Sequence, residues 1–358
     1  MHELQERYSS LVLAKVRKVL KLKDGVVFNT NYEGKPSAGV VKIPVRDTEV
    51  TLSDYDKKNG IAASDGSTGY FTMPITKDKA INEIIDNYDA NAVPDKLVAD
   101  RLDSASYMIS ATEDKDGMTA LLSGSTIVGV SQLTTANIYG TIVDIRKGMT
   151  KANIPDDGRR YLIVLPDAMA LILQCDQFIK ASALGDNVVQ SGAVGKIAGF
   201  NVIEYNDETA GLQMIAGHPD FAARVREFAV APHVQDLSQS GKYIGACAVQ
   251  GREVYDHAVL RKSAVRSVFS PTGLSVTCAA DSTAGKTVAT VSGNTGSLYY
   301  RVLGNNERAV YGAGTDGFTA LTSGTTKIAA TAADVIEIVE VNSDSKVIAA
   351  GYATAVVK

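Results

Sequence analysis

Apolar residues recur at spacings of three and four along residues 8–22, where Leu11, Val12, Val16, Val19 and Leu20 alternate with Lys15, Arg17, Lys18 and Lys21. That period predicts an amphipathic packing helix. Residues 26–45 read as extended and end in the alternating segment GVVKIPV. The character then changes. Residues 47–72 are polar and rich in Gly, Ser and Asp, with strand-like pieces at Thr48–Leu52 and Tyr70–Met73 around a turn-rich middle. This pattern predicts a long β-hairpin that projects from the body. A ribbon with so little apolar content is marginal alone and needs a surface to lie on.

Pro94 suits the first position of a helix, where its missing N–H costs nothing. Leu97, Val98, Leu102, Ala105 and Ile109 make one apolar stripe, so a helix is expected from Pro94 to about Glu113. Its surroundings are acidic, with Glu83, Asp86, Asp89, Asp95, Asp100 and Asp103. A second helix is expected with Thr134 or Thr135 as its cap and Ile138, Ile142, Ile145 and Met149 on its buried face. Tyr161–Leu165 reads as a short buried strand, Pro166 opens a third helix, and Phe200–Glu204 and Leu212–Ala216 read as strands. Residues 224–234, 243–249 and 253–261 also look extended. Helices and strands mix without regular βαβ alternation, which predicts α+β rather than a doubly wound sheet.

After Pro271 no helical period remains. Short alternating runs recur between turns: LSVTC, TVATVS, LYYRVL, TKIAA, VIEIVEV and KVIAAGYATAV. This predicts an all-β, immunoglobulin-like sandwich over 271–358, without the paired cysteines or core tryptophan of antibody domains.

Composition narrows the function classes. Lys plus Arg number 36 and Asp plus Glu 40, a formal net charge of −4, which argues against a strongly basic nucleic-acid binder. Residues 1–46 are the exception, with nine Lys/Arg against four Asp/Glu, an arm suited to lie beside a polyanion. Cys175, Cys247 and Cys278 are three and far apart, neither a disulfide framework nor a metal set, and fit buried thiols in a reducing cytoplasm. No apolar run approaches the length of a membrane span, and the first residues lack the pattern of a secretory signal.

Chemical motifs are few. Ala280–Thr287 satisfies a loose phosphate-loop form, but a strand-like VATVSG follows where a helix is required, so a hairpin turn is expected. Gly192–Lys196 is too short for such a loop. Asp54–Gly60 only faintly resembles a calcium loop, with Lys58 at its fifth position and the glycine one residue late. His2, His218, His233 and His257 form no metal or triad spacing. No catalytic residue, metal ligand or cofactor is therefore named, and an enzyme is not expected.

The order of parts is the informative signal: basic arm, polar hairpin, long acidic helix, α+β stretch, return strand. It resembles the major capsid proteins of tailed bacteriophages, the Hong Kong 97-type shell fold, over residues 1–268. The resemblance is carried most fully by ANIYGTIVDIRKGMTKANIPDDGRRYLIVLPDAMALIL, FIKASALGDNVVQSGAVGKIAGFNVIEYN, GHPDFAARV and GREVYDHAVLRKSAV. Ile154-Pro155 before Gly158-Arg159-Arg160, and Val194 to Phe200, look like that family's signatures.

By this resemblance, residues 1–46 are an N-terminal arm with the first peripheral strands, and 47–75 an extended loop lying over a neighbouring subunit. Residues 76–129 are then a peripheral domain with a spine helix, 130–245 an axial domain converging at five-fold and six-fold positions, and 246–268 a return to the peripheral domain. Residues 271–358 become an outward-facing appendage. The implied function is a virion capsid subunit that self-assembles as pentamers and hexamers in the host bacterial cytoplasm. Its implied partners are a scaffolding protein, a portal and packaged double-stranded DNA held without sequence preference; no membrane is involved. Asp54, Tyr55, Lys57, Lys58, Tyr70 and Phe71 are the candidate inter-subunit contacts. Gly60, Gly66 and Gly69 are candidate hinges.

Some relatives crosslink their shells by a Lys-to-Asn isopeptide bond, for which Lys57 and Lys58 are the candidate lysines; a solvated or salt-bridged tip is the other reading. An encapsulin-type cargo shell is an alternative within the fold. A surface adhesin is an alternative of another class, in which Tyr299, Tyr300, Tyr311, Phe318 and Tyr352 stack on sugars instead of packing the sandwich core.

Overall fold

The computed structural model describes residues 17–31, 39–45, 52, 54–61, 69–88, 96–175, 195–304, 308–332 and 334–358. In chain order the elements are β1 (Val40–Val45), β2 (Gly69–Pro74), β3 (Lys77–Asp86), α1 (Leu97–Gly124), β4 (Thr126–Gly129), α2 (Ile138–Lys151), β5 (Tyr161–Val164), α3 (Pro166–Gln174), β6 (Lys196–Ile197), β7 (Phe200–Glu204), β8 (Leu212–Gly217), β9 (Ala222–Asp236), β10 (Ala246–Val259) and β11 (Arg266–Phe269). Then follow β12 (Thr272–Gly273), β13 (Ser275–Ala280), β14 (Lys286–Ser292), β15 (Ser297–Val302), β16 (Thr319–Leu321), β17 (Lys327–Ala329), β18 (Val335–Val341) and β19 (Val347–Thr354). The mixture is α+β, and the chain divides into two compact units, 1–124 with 219–261, and 125–218 with 262–358. Residues 219–245 of the expected axial segment 130–245 fall in the first unit, where they carry the long strand β9.

The first unit is built on an antiparallel sheet of order β3-β10-β9. Its long strand β10 joins what the sequence suggests as two runs, 243–249 and 253–261, and carries bulges near Gln250 and Arg252 instead of a break. On one face lies α1, whose Ala105, with Leu97, Val98 and Leu102, packs on Ile81, Ile85, Cys247 and Val249. The helix does not end near Glu113 but continues to Gly124. Gly117 lets this second half approach: a Cβ there would lie 3.1 Å from the Phe28 ring and 3.3 Å from His257. Gly124 likewise sits against Val259, where a Cβ would be 2.4 Å away.

On the opposite face, Val41, Ile43 and Met73 of the β1–β2 ribbon bury against Ala223 and Val225. Gly69–Pro74 pairs with Val40–Val45, with Val45 opposite Gly69; residues 48–51 of the expected strand Thr48–Leu52 lie outside the described residues. The alternating root sets the register of the described pairing. Gly69 is a paired strand residue rather than a hinge. Of the expected N-terminal helix, residues 8–16 lie outside the described residues, and 17–22 are not helical. Their backbone is taken up by α1 instead: Tyr107 donates to the Lys18 carbonyl (3.1 Å), and the Lys21 amide donates to Asp114 (3.2 Å). Arg17 pairs with Asp103 at 2.7 Å. Pro94, Gly66 and residues 176–194 also lie outside the described residues.

The second unit holds a mixed six-stranded sheet of order β4-β11-β8-β5-β7-β6. Its strand β5, YLIV, is fully buried along its length. Ile138, Ile142, Ile145 and Met149 supply the inner face of α2. Neither Thr134 nor Thr135 caps this helix. Asn137 stands at its N-cap, and its Oδ1 accepts the Thr134 amide at 2.8 Å. Arg160, only 1% exposed, gathers the turn that follows, donating to the Pro155 carbonyl (2.8 Å), the Ile154 carbonyl and Thr150. That is the physical content of the Ile154–Arg160 motif.

Beyond Ser270 stand two sheets, of order β12-β19-β18-β15-β16 and β13-β14-β17. They share one apolar cluster, with Ala289, Val291 and Ile328 from the second sheet against Leu298, Leu321, Ile336 and Ile338 from the first. The phosphate-loop look-alike is the turn of the antiparallel β13–β14 hairpin.

Candidate functional site

The β1–β2 ribbon is rooted firmly. Besides its apolar root, Thr76 just beyond it donates through its amide (2.9 Å) and hydroxyl (2.8 Å) to Asp256 of β10. Neighbouring Asp78 takes a bidentate bond from Arg252, 2.9 and 2.5 Å. The far end of the ribbon is open. Asp56 closes a tight turn there, accepting the Lys58 amide and the Asn59 side-chain amide, both at 2.7 Å, while its carbonyl accepts the Gly60 amide at 2.8 Å. Those donors hold the Asp56 carboxyl below its ordinary range. Its oxygens are thus engaged in shaping the turn, which is how this segment differs from a calcium loop. Gly60 adopts φ +68°, a conformation that favours glycine at this position.

This turn leaves Asp54, Tyr55, Lys57 and Lys58 in solvent. Tyr55 is 70% exposed, Tyr70 66%, and the flanking Leu52 and Ile61 are also open. Phe71 differs from the other candidate contacts: strand alternation turns it inward with Met73, half-buried against the root cluster. Beyond the root, Leu52, Tyr55, Ile61 and Tyr70 are large side chains that no described residue covers.

Beneath α1 lies a polar interior that sequence reasoning misses. Arg224, 3% exposed, donates to Asp24 (3.0 Å) and to His257 Nε2 (2.9 Å). Arg226 pairs with Asp24 at 2.6 Å and Glu113 at 2.9 Å, and the Tyr255 hydroxyl donates to Asp116 at 2.9 Å. His257 must be neutral to accept from Arg224; burial first, then the nearby Arg224, Arg226 and Lys77, push it down to about 3. Glu253 is 1% exposed and, among the described residues, has no hydrogen-bond partner on either carboxylate oxygen. Burial and the adjacent Glu113 push it up to about 7, against the pull of Arg226 and Arg224. The available signal was alternation: residues 253, 255 and 257, and 224 and 226, fall on one face of their strands, where Glu113 and Asp116 of the helix meet them.

The aromatic candidates of the C-terminal region are half-buried, each with a packing partner. Tyr299 and Tyr300 face opposite sides of β15, the first against Val339, Val341 and Val347, the second against the cluster shared by the two sheets. Phe318 and Tyr352 join Tyr299. Tyr311 stacks on Phe269 with ring centroids 5.1 Å apart.

The architecture defines a class: an α+β body with a rooted, outreaching ribbon and a long helix laid on a three-stranded sheet. Solved phage capsid structures share that fold. The chain is similar to "Mycobacterium phage Che8" at 21% identity, covering 74% of this chain and 96% of that one, with a TM-score of 0.61. It is similar to the capsid structure of the cyanophage P-SCSP1u at 13% identity, 74% and 92% coverage and a TM-score of 0.62. A third is the mature capsid of bacteriophage PhiM1, at 12% identity, 72% and 92% coverage and a TM-score of 0.53. No protein-family model and no curated protein matches the chain. At these identities the likeness establishes the fold: about three quarters of this chain share it with phage capsid structures.

Proposed function

We propose that this protein is a major capsid subunit of a tailed bacteriophage, of the Hong Kong 97 type, which assembles with copies of itself into an icosahedral shell around double-stranded DNA. The observation that carries this reading is the ribbon: an apolar root fixed to the sheet and a far end bearing Tyr55, Tyr70, Leu52 and Ile61 in solvent. Such a limb gains burial only on another molecule, and a neighbouring copy is always at hand in a closed lattice. The capsid fold of the solved neighbours supports the same reading.

In this reading residues 47–75 form the extended loop over a neighbour, with Asp54, Tyr55, Lys57, Lys58 and Tyr70 at the contact and Phe71 securing its root. The long helix α1 is the spine of a peripheral domain, and the six-stranded sheet belongs to the axial domain at the five-fold and six-fold positions. Residues 271–358 form an immunoglobulin-like module facing outward. The role is structural, with no catalytic step. A scaffolding protein, a portal and packaged DNA are its partners, in the virion and during assembly in the host cytoplasm.

Co-expression with a candidate scaffolding protein, followed by electron microscopy, tests this. Closed shells of pentamers and hexamers are the expected product. A solitary, monodisperse chain whose ribbon lies on its own body overturns the reading.

A further inference from the structure

We propose that residues 308–313 are a strap that welds the C-terminal module to the six-stranded sheet, so that the module is an integral part of the second unit rather than a tethered appendage.

The edge of the six-stranded sheet is β4, paired on one side with β11. An unpaired edge would ordinarily present free backbone groups. Here the ladder continues past the end of β4. The Val130 amide donates to the Phe269 carbonyl (2.8 Å), and the Val130 carbonyl accepts the Tyr311 amide (3.1 Å). Ser131 and Val310 add an antiparallel bridge. Backbone hydrogen bonding thus passes from β11 through Val130 into the strap.

Side chains close the same joint. The Tyr311 ring lies on Phe269 with an interplanar angle of 23°. Two glycines make room for it. A Cβ on Gly129 would lie 2.1 Å from the Tyr311 carbonyl oxygen, and one on Gly211 would lie 2.9 Å from the Tyr311 ring. Gly211 also holds φ +76°, and its carbonyl accepts the Ser270 amide at 2.9 Å. Glycine is needed at these positions because backbone, not a movable side chain, occupies the space at Gly129.

The strap is fixed equally well to its own module. The Gly312 amide donates to the Val347 carbonyl (2.8 Å) and the Val347 amide to the Ala313 carbonyl (3.0 Å). The Ala309 amide donates to Glu337, a fully buried carboxylate that also pairs with Arg301 at 2.6 Å. The Arg308 guanidinium lies over the Tyr352 ring, 4.6 Å from its centroid. The chain entering the module is not a free linker either, since Thr272–Gly273 pairs in parallel with β19. Two covalently separate connections, 270–274 and 308–313, therefore hold the module, which removes the swivel a single linker would allow.

Amide hydrogen exchange on the full chain, read by mass spectrometry alongside a thermal unfolding scan, tests the weld. The expected result is shared protection of residues 126–131 and 309–313 and a single transition for the second unit. Ile338→Ala, whose side chain lies in the cluster between the module's sheets while its neighbours Glu337 and Val339 face the strap, should speed exchange at 126–131 and at 309–313 together, by about tenfold. Gly129→Ala should split the transition in two, while Tyr311→Phe, which keeps the stacked ring, should behave as the parent. The proposal is overturned if the parent chain already shows an independent module transition. It is equally overturned if Ile338→Ala speeds exchange throughout the module while residues 126–131 stay protected, a result that holds even where Gly129→Ala fails to fold.

Discussion

The core around β5 in the second compact unit and the space beneath α1 in the first are packed very differently. In the second, β5 contributes four consecutive fully buried side chains, Tyr161 to Val164, met by Ile138, Ile142, Ile145 and Met149. In the first, the space between α1 and its sheet holds Glu113, Arg224, Glu253 and His257, all buried. An apolar interior is held by volume and tolerates repacking when volume is conserved. A charged interior is held as a set, because each ion is tolerable only while its partners stay in place. The packing beneath α1 therefore responds to charge, and the packing around β5 responds to volume.

Removing one ion is the severest way to break this contrast. Arg224→Ala takes one of two cations from Asp24 and Glu113, leaving only Arg226 between them, and should destabilise the first unit by about 3 kcal/mol, measured by denaturant unfolding. The matching change in the second unit, Ile163→Ala, removes apolar volume from a site with no exposure and should cost about 2–5 kcal/mol. A second charge deletion separates the two. Glu113→Gln should reduce the penalty of Arg224→Ala and leave that of Ile163→Ala unchanged. An equal response in both variants would abolish the distinction.

Acidity sharpens the contrast further. Glu253 takes up its proton more readily when folded, near pH 7, than a free glutamate does near 4.5. Its contribution is therefore fully present below about pH 4.5 and is lost as pH rises through about 7. His257 runs the other way: its folded value is depressed to about 3, so its contribution is present above the ordinary 6.5 and lost as pH falls toward 3. The variant Glu253→Gln isolates the first effect. Its stability relative to the parent should increase between pH 4.5 and 7, by on the order of 2–3 kcal/mol. A pH-independent difference between the two would show that Glu253 is ionised in the fold throughout.

Legibility in the sequence divides along the same line. The apolar period of α2, the run YLIVL and the alternating strands after Pro271 could be read directly, because burial there follows hydrophobicity. The first unit hid its organisation behind polar residues. Strand β3, KDKAINEIID, carries charge on both faces, since Glu83 turns inward to Arg101 of α1 while Asp78 turns to Arg252. The second half of α1 reads as an acidic, glycine-bearing tail, yet Glu113 and Asp114 are among its buried residues and Gly117 is where Phe28 approaches. Amphipathic spacing in residues 8–22 suggested a helix, whereas residues 17–22 lie extended along α1 because its side chains capture their backbone. The exposed end of the ribbon was legible for the opposite reason, as a stretch with nothing to bury it. Its root was missed because Val41 and Ile43 matter through distant Ala223 and Val225.

The ribbon's outer end gives the smallest effect on folding. Tyr55 and Tyr70 are exposed by 70% and 66%, so Tyr55→Asp and Tyr70→Asp should change the stability of the isolated chain by no more than about 0.5 kcal/mol. Phe71→Asp is the internal control: it places a carboxylate against the root cluster of Val41, Ile43 and Met73 and should destabilise the first unit measurably. If the limb's purpose is to cover a neighbouring copy, the two exposed substitutions must still reduce assembly sharply, because each puts charge where an apolar contact forms. Calorimetry on the isolated chain and particle counts by electron microscopy read the two quantities separately. Variants that fold and assemble as the parent does would show that Tyr55 and Tyr70 lie outside the contact and would move the search to Leu52 and Ile61.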